Sequence, residues 1–175
     1  MAFRILHTSD WHLGQHFYGK SRANEHQKFL NWLLEQVKQQ QIDAVIVAGD
    51  IFDTGTPPSY AREMYFDFVV KMHACQCQLI ILAGNHDSVA VLGEAKQLLA
   101  QLSCTVVPTA STECLANSEQ VFTLKNSAGE QGAVLCAIPY IRPRDITTST
   151  AGQSAIDKQQ SLQQSITAHY QQLFK

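Results

Sequence analysis

Three short polar clusters in the first half of the chain carry side chains that bind divalent metal ions. The clusters are Asp10-Trp11-His12, Gly49-Asp50 and Gly84-Asn85-His86-Asp87. They offer carboxylate, imidazole and amide donors and no thiolate, a set that suits manganese, iron, zinc or magnesium better than copper. On an extended segment the side chains of Asp10 and His12 point to the same side, so both can bind one ion. The residue types predict a divalent metal site with ligands Asp10, His12, Asp50 and Asn85.

The chemistry that such a site supports is hydrolysis at phosphorus. Asp50 is expected to bridge two ions, and two ions about 3.5–4 Å apart stabilise both the attacking and the leaving oxygen. A metal-bound water also loses a proton near neutral pH. His86 is expected to be a catalytic residue that faces the substrate and stabilises or protonates the leaving oxygen. Asp87 is expected to take part in catalysis by orienting the His86 imidazole.

Each cluster also has an ordinary structural interpretation. A histidine beside a tryptophan after a strand is often structural, and Gly-Asn-His-Asp is a sequence typical of a turn. Asp87 and Ser88 are also suited to cap a following helix. The occurrence of all three clusters, each directly after a candidate strand, favours the metal site over these separate explanations.

The elements that must position these clusters are short apolar strands separated by helical segments. Strands are predicted at residues 3–7, 44–48 and 79–83, and the second and third lack polar alternation, as do strands that are covered on both faces of a parallel sheet. Helices are predicted at residues 24–41, 59–73 and 89–102. Because the carboxyl ends of parallel strands meet at one edge of the sheet, the clusters are expected to converge there. Gly49 and Gly84 precede predicted ligands, where a sharp turn or a close backbone approach is expected. Further strands are predicted at residues 105–107, 120–124 and 133–138, with turns at 111–113 and 126–132 and a last helix at 155–174.

Length and composition predict one folded domain, and the net charge argues against binding of nucleic acid by a bulk positive field. The 175 residues, 45% of them hydrophobic and 16% charged, predict one folded α/β domain without a disordered tail. Lys and Arg number 13 and Asp and Glu number 15, which gives a formal net charge of −2. No bulk positive field attracts nucleic acid, so any polyanionic partner must be bound locally.

The cysteines and the N-terminus predict a reducing compartment. No run of about 18 apolar residues occurs, and residues 1–9 lack the apolar core of a secretion signal, so no membrane association and a cytoplasmic location are expected. The cysteine count is odd and no CxxC pair occurs, which predicts reduced and mostly buried thiols at Cys75, Cys77, Cys104, Cys114 and Cys136.

The three clusters resemble the signature of the calcineurin-like metallophosphoesterases. The resemblance extends over essentially the whole chain, through residues 5–15, 47–62, 83–88 and 138–146, and is closest to the bacterial DNA nucleases of that family. It implies that residues 1–175 are the N-terminal part of the nuclease domain, an N-terminal portion of a four-layer α/β/β/α sandwich. It further implies two divalent ions, manganese first and magnesium as the alternative. Asp10, His12 and Asp50 would hold one ion, and Asp50 and Asn85 the other.

The resemblance also implies an activity and partners. The activity is metal-dependent hydrolysis of DNA, as a 3′–5′ exonuclease on double strands and an endonuclease on single strands, in DNA repair, recombination, replication and hairpin processing. The implied partners are DNA, an ATPase subunit and a second copy of the chain, arranged as a homodimer within a heterotetramer. Apolar side chains on the predicted helices 59–73 and 89–102 belong to the core by default, or to that dimer contact. Contacts with DNA phosphates are expected from exposed basic residues, with ordinary surface charge as the alternative: His16, Lys20, Arg22, Arg142 and Arg144.

Two features depart from the family pattern. The family completes its metal site with later Gly-His and Gly-His-x-His segments, which do not occur before Lys175. These motifs and any capping domain are therefore expected outside this chain. Asp53 stands where archaeal and eukaryotic relatives have histidine. Two alternatives stay open: a phosphatase or cyclic-nucleotide phosphodiesterase on the same scaffold, and an inactive truncated chain that only dimerises or binds a partner.

Overall fold

A parallel sheet of four strands forms the centre of the computed structural model, which describes residues 2–110, 120–147 and 154–174. Strand β1 is Ile5–Thr8, and the short hairpin strands β2 and β3 are His16–Phe17 and Lys20–Ser21. The remaining strands of the central sheet are β4 (Ala44–Ala48), β5 (Gln78–Leu82) and β6 (Cys104–Val107), and their order is β1-β4-β5-β6. All neighbouring pairs are parallel. The predicted strand 44–48 is confirmed without any shift, and 3–7, 79–83 and 105–107 are confirmed within two residues.

Both faces of this sheet are covered, as the continuous apolar strands predict. Helices α1 (Ala23–Gln39) and α2 (Ser59–Ala74) connect the first three strands of the sheet. Val45 and Val47 of β4 belong to the core beneath these helices, together with Leu33 and Phe68. Because successive side chains of a strand point to opposite faces, the neighbouring residues of β4 lie on the other side, in a second apolar cluster.

A two-stranded sheet covers that second face. Strands β7 (Val121–Lys125) and β8 (Gln131–Cys136) pair antiparallel, and Leu124 and Ala137 pack against Ile46 and Ile80 of the central sheet. The last helix is predicted correctly at residues 155–174. The predicted turn at 111–113 lies outside the described residues.

The outer side of the small sheet carries the last helix. This helix is α6 (Ala155–Phe174). The other helices described after β5 are short: α3 (Val89–Gly93), α4 (Lys96–Ala100) and α5 (Pro143–Ile146). Cys136 at the end of β8 contacts the Leu173 carbonyl of α6. The layers are therefore helices, parallel sheet, small sheet and helix, which confirms the α/β/β/α fold class.

The predicted continuous helix 89–102 is wrong, because the segment breaks into α3 and α4. Gly93, the last residue of α3, has a low helix propensity, and Ala95 has φ −106° and ψ 9°, which are not helical. The proposed capping role of Ser88 is confirmed, since its side chain accepts a hydrogen bond from the Val91 N–H at 3.4 Å. Side chains of both helices reach the core through Leu92 and Leu99.

The thiols are buried less uniformly than predicted. Cys77 and Cys104 are buried, and burial raises the pKa of each thiol to about 12. Cys75 is half-buried and Cys136 is exposed, and none of these four cysteines is disulfide-bonded. Cys114 lies outside the described residues. Among the helices that the structure describes, none combines the length and apolar character needed to cross a membrane.

The backbone of Gly84, just after β5, lies against Asp50. A Cβ atom at Gly84 would overlap both the backbone nitrogen and the carboxylate of Asp50. No larger residue fits there unless one of the two loops moves. The close approach that the sequence predicts at this glycine is therefore confirmed.

We expect Gly84→Ala to lower the free energy of unfolding by about 1–3 kcal/mol, the usual cost of overpacking a buried contact. Urea denaturation measures this change. Gly93→Ala is the matched control, because its Cβ would meet only the Pro108 ring at 3.8 Å. Equal stability of Gly84→Ala and the unmodified chain would contradict the close contact.

His169 of α6 is a buried titratable group in the contact between α6 and the small sheet. It is 3% exposed, and its Nε2 lies 2.9 Å from Oε1 of the buried Gln120. Burial disfavours the charged imidazolium and lowers the pKa of His169 below its ordinary value of 6.5. In the folded chain the neutral imidazole is therefore favoured.

We expect this histidine to make the fold less stable in acid. Above pH 6.5 both states are neutral, and as the pH falls below that value the unfolded chain binds the proton first, so the free energy of unfolding decreases. The slope from one group is at most about 1.4 kcal/mol per pH unit. Urea denaturation at about pH 7.5 and about pH 5.5 should show a smaller loss for His169→Gln, which keeps an amide to pair with Gln120. An equal loss in both proteins would show that another group causes it.

Candidate metal centre

The loops that follow β1 and β4 run side by side beyond the edge of the sheet. The Asp10 N–H donates to the Gly49 carbonyl at 3.1 Å, and the His12 N–H donates to the Asp50 carbonyl at 2.9 Å. Leu13 continues this pairing by donating to Ile51 at 2.9 Å. Because these backbone hydrogen bonds join the two loops, the predicted ligands after β1 and after β4 are fixed relative to one another.

The backbone of these ligands is not extended, which corrects the expected reason for their proximity. Asp10, His12 and Asp50 have φ values of 56°, 47° and 51°. Few residues other than glycine adopt this left-handed conformation, and those that do cluster at functional sites. Asp10 and His12 still lie close together, with 4.0 Å between Oδ1 and Nε2. Their convergence therefore depends on tight turns and not on the alternation of an extended strand.

Asp87 ties the loop after β5 to the loop after β4. Its carboxylate is buried and accepts hydrogen bonds from the backbone N–H groups of Gly84 at 2.8 Å, Phe52 at 3.0 Å and Ile51 at 3.2 Å. Burial raises the pKa of Asp87, and the three N–H donors oppose that rise. The carboxylate thus serves as the common acceptor for two loops.

The contacts of Asp87 are with backbone groups, and its predicted catalytic role stays a prediction. Both carboxylate oxygens bind backbone amides and neither orients the His86 ring. His86 is positioned instead by Asp53, whose backbone carbonyl lies 2.8 Å from Nδ1 of the imidazole. Adjacency of Asp87 to His86 in the sequence does not indicate which acceptor the ring uses.

The four predicted metal ligands lie at one edge of the sheet. Asp10, His12 and Asp50 each offer a donor atom, and these three atoms lie within 4.8 Å of one another. Asn85 is exposed and lines, with Asp10 and Asp50, an open cavity of about 520 Å³. The convergence of all four residues is what the sequence predicted.

The donor set of this cavity fits a divalent cation. Asp50 is nearly buried and accepts the His86 backbone N–H at 3.0 Å, while the Asp10 side chain is 66% exposed. Among the described residues, no lysine or arginine lines the cavity. The two carboxylates and the amide that line this cavity, with the His12 imidazole beside Asp10 and Asp50, form a candidate site for a hard or borderline metal ion.

Asp53 is a site residue that the sequence analysis did not assign. Its Oδ1 lies 3.2 Å from Nδ1 of His12, and its carbonyl binds the His86 ring. The two imidazole rings are 5.0 Å apart and almost perpendicular, at 87°. A carboxylate beside Nδ1 leaves Nε2 of His12 for a metal ion. The sequence feature that could have identified Asp53 as a site residue is its position three residues after Asp50, in the same loop.

The pKa of His86 is raised. The main cause is the hydrogen bond to the Asp53 carbonyl, and the carboxylates of Asp50, Asp53 and Asp87 add to it. The side chain is exposed beside the cavity. An exposed imidazole that is anchored through Nδ1 keeps Nε2 available for another partner.

Arg142, one of the predicted contacts with DNA phosphates, is half-buried and hydrogen-bonds to backbone carbonyls of its own chain. Its Nη2 donates to the carbonyls of Asp87 at 2.6 Å and Gly84 at 3.1 Å, and its Nη1 is buried. The guanidinium therefore supports the loop after β5 from behind. The sequence could not predict this contact, because it does not show which backbone carbonyls a side chain will bind.

The other predicted DNA contacts are exposed. Lys20 and Arg22 lie on and beside the β2–β3 hairpin, and the Arg22 guanidinium donates to Oε1 of Gln15 at 2.8 Å. His16 is exposed, with Nδ1 3.1 Å from the Gly14 carbonyl. Arg144 lies on α5, with Nε 3.8 Å from Asp145. Their contact with DNA stays a prediction.

Comparison with known proteins places this site among the phosphoesterases. The SbcD subunit of the nuclease SbcCD from Escherichia coli (strain K12) is 56% identical to this chain over 169 residues, which cover 97% of this chain and 40% of that protein. The proteins of the same name in Rhodobacter capsulatus and Bacillus subtilis are 33% and 37% identical over 147 and 111 residues. Those alignments cover 82% and 63% of this chain, and 36% and 28% of the relatives. The chain therefore spans well under half the length of these relatives.

The family profile of the calcineurin-like phosphoesterases matches residues 3–150. That interval contains every loop of the metal centre, from Asp10 to Asp87, and the Arg142 side chain that supports it. Metal-binding residues at the strand ends, the layered fold and the profile agree with one another. The chain belongs to the calcineurin-like phosphoesterase family.

Proposed function

We propose that this chain is the metal-binding part of a DNA nuclease subunit. The observation that carries the proposal is the clustering of Asp10, His12 and Asp50, next to a cavity that Asn85 lines with both aspartates, in a chain 56% identical to a protein named as part of a nuclease. The reaction is metal-dependent hydrolysis of DNA, as a 3′–5′ exonuclease on double strands and an endonuclease on single strands. Similarity to proteins named as nuclease subunits favours DNA over a small phosphoester as the substrate.

The proposal includes the surroundings of the chain. Residues 1–175 form the N-terminal part of the nuclease domain, and later histidine motifs complete the metal ligands. The partners are DNA, an SbcC-type ATPase and a second copy of the chain, in a homodimer within a heterotetramer. The compartment is the cytoplasm. The proposal of DNA and an ATPase subunit as partners is supported by the names of the relatives, which describe one component of the nuclease SbcCD.

The residues of the chain divide the work of metal binding. Asp10, through a carboxylate oxygen, and His12, through Nε2, would hold one ion; Asn85 would hold the other, and Asp50 would contact both. Manganese is the proposed ion, with magnesium as the alternative, since oxygen and imidazole donors suit both. Two such ions, when bound, supply a nucleophilic water and neutralise charge on the phosphate.

The remaining residues position the ligands or donate a proton. The Asp53 carboxylate lies beside Nδ1 of His12, which leaves Nε2 as the nitrogen that would face the metal. His86, fixed through Nδ1, offers Nε2 to the leaving oxygen of the scissile phosphodiester. Asp87 and Arg142 keep the loop that carries Asn85 and His86 in place.

We expect Asp50→Asn to weaken manganese binding by at least about tenfold, because the charge of the shared ligand is lost. The asparagine oxygen can still accept the His86 backbone N–H, so the loop should stay in place. Calorimetric titration of this chain with manganese measures the effect, and the unmodified chain should bind weakly, with fewer ligands than the family pattern provides. Asp67→Asn is the matched control, since Asp67 is exposed on α2 and pairs with Lys71. Two tight manganese sites in this chain, or unchanged binding by Asp50→Asn, would contradict the assignment.

In the protein extended through the Gly-His and Gly-His-x-His motifs, we expect His86→Ala to slow DNA cleavage by roughly 10²–10⁴-fold. The reason is the loss of the group that donates to the leaving oxygen, while metal occupancy stays intact. Cleavage of linear duplex DNA at saturating manganese, together with metal analysis of the protein, separates the two effects. His73→Ala on α2 should leave the rate unchanged. Loss of manganese would make His86 a ligand, and an unchanged rate would exclude it from the reaction.

A further inference from the structure

The β2–β3 hairpin presents two aromatic side chains to solvent. Phe17 is 63% exposed and Tyr18 is 91% exposed, and their rings meet edge to face at 4.6 Å. Tyr18 and Gly19 form the turn, with φ values of 48° and 74°. Two consecutive residues in the left-handed region are typical of a type I′ turn, the tight connection that fits the twist of a hairpin. This turn holds the tip in one conformation.

The base of the hairpin is joined to the metal centre. Gln15 donates through Nε2 to Oδ1 of Asp53 at 3.3 Å and accepts from the Arg22 guanidinium at 2.8 Å. Its carbonyl also accepts the Arg22 backbone N–H at 3.1 Å. Asp53 is the residue that contacts both His12 and His86. Because Tyr18 follows Gln15 by three residues, the tip lies within about 10 Å of that junction.

Strand β3 is held at the base of the hairpin by a further contact. The Ser21 hydroxyl donates to the Tyr60 hydroxyl at 3.2 Å, which attaches β3 to the start of α2. With both strands anchored, the aromatic tip projects from a fixed base. The exposed rings are thus preorganised rather than part of a loose loop.

The charge around the tip suits a polyanion. Residues 16–24 contain Lys20 and Arg22 and no carboxylate. A cleft of about 380 Å³ beside the hairpin is lined by Phe17, Lys20, Ser21, Arg22 and Glu25. Single-stranded nucleic acids are bound by this combination, in which bases stack on aromatic rings and basic side chains neutralise the phosphates.

We propose that the β2–β3 hairpin is a stacking platform for unpaired bases, which places a single-stranded or frayed DNA end beside the metal centre. This inference rests on the proposed function and adds a substrate feature to it, since Phe17 and Tyr18 recognise an unstacked base and not a phosphate. A protein partner is the less favoured occupant, because the two cations beside the rings match the charge of DNA.

The experiment measures binding of a fluorescein-labelled oligothymidylate to this chain by fluorescence anisotropy, in EDTA so that no cleavage occurs. We expect Tyr18→Ala to weaken binding by about 5- to 100-fold, the range for loss of one stacked base. Tyr18→Phe keeps the ring and should bind as the unmodified chain does. Phe174→Ala is the matched control, because Phe174 is 90% exposed on α6. Lys20→Ala should instead reduce the slope of affinity against salt by about 0.7.

A second DNA separates stacking from backbone contact. A relaxed, covalently closed circular duplex has neither a terminus nor unpaired bases, so Tyr18→Ala should weaken its binding less than that of the oligothymidylate. Equal losses on both DNAs, unchanged binding by Tyr18→Ala or no binding by the unmodified chain would overturn the inference. So would a Tyr18→Ala defect confined to self-association in sedimentation. Failure of the proposed function is seen separately, in the manganese titration.

Discussion

The carboxylate of Asp87 is the interaction on which the metal centre depends. It is excluded from water, yet it accepts three backbone N–H groups from two different loops. A buried charge is tolerated only when such donors surround it. Truncation of Asp87 would leave those amides unpaired and release the loop after β5 from the loop after β4. The side chain therefore supports the ligands without touching a metal.

Close packing of backbone against backbone completes this constraint. The Gly84 main chain leaves no space for a side chain beside Asp50, and Asp50 in turn binds the His86 N–H. Each ligand loop is thus held by atoms of another ligand loop. The distances between the donors are set by main-chain contacts, and the turns with positive φ at Asp10, His12 and Asp50 follow from the same crowding.

Sequence patterns predicted the sheet and the proximity of the candidate ligands well, because both depend on local residue types. The strand at residues 44–48 is unbroken and apolar, as burial on both faces requires. Contacts made through backbone atoms were beyond such patterns. Asp87 and Arg142 bind main-chain groups, so neither residue type reveals its partner. Asp53 was missed for a related reason, since its carbonyl positions His86. The break between α3 and α4 came from one glycine within an otherwise helical period.

The hydrogen bonds of Arg142 also bear on how the protein is made. They join residues 58 and 55 positions apart in the chain. At a translation rate of about 5–20 residues per second, Arg142 leaves the ribosome about 3 to 12 seconds after Gly84. During that interval the nascent chain already contains all four proposed ligands, but the Arg142 side chain that supports the loop after β5 is still missing. A metal ion that binds in this interval would meet a looser set of donors than the finished protein offers.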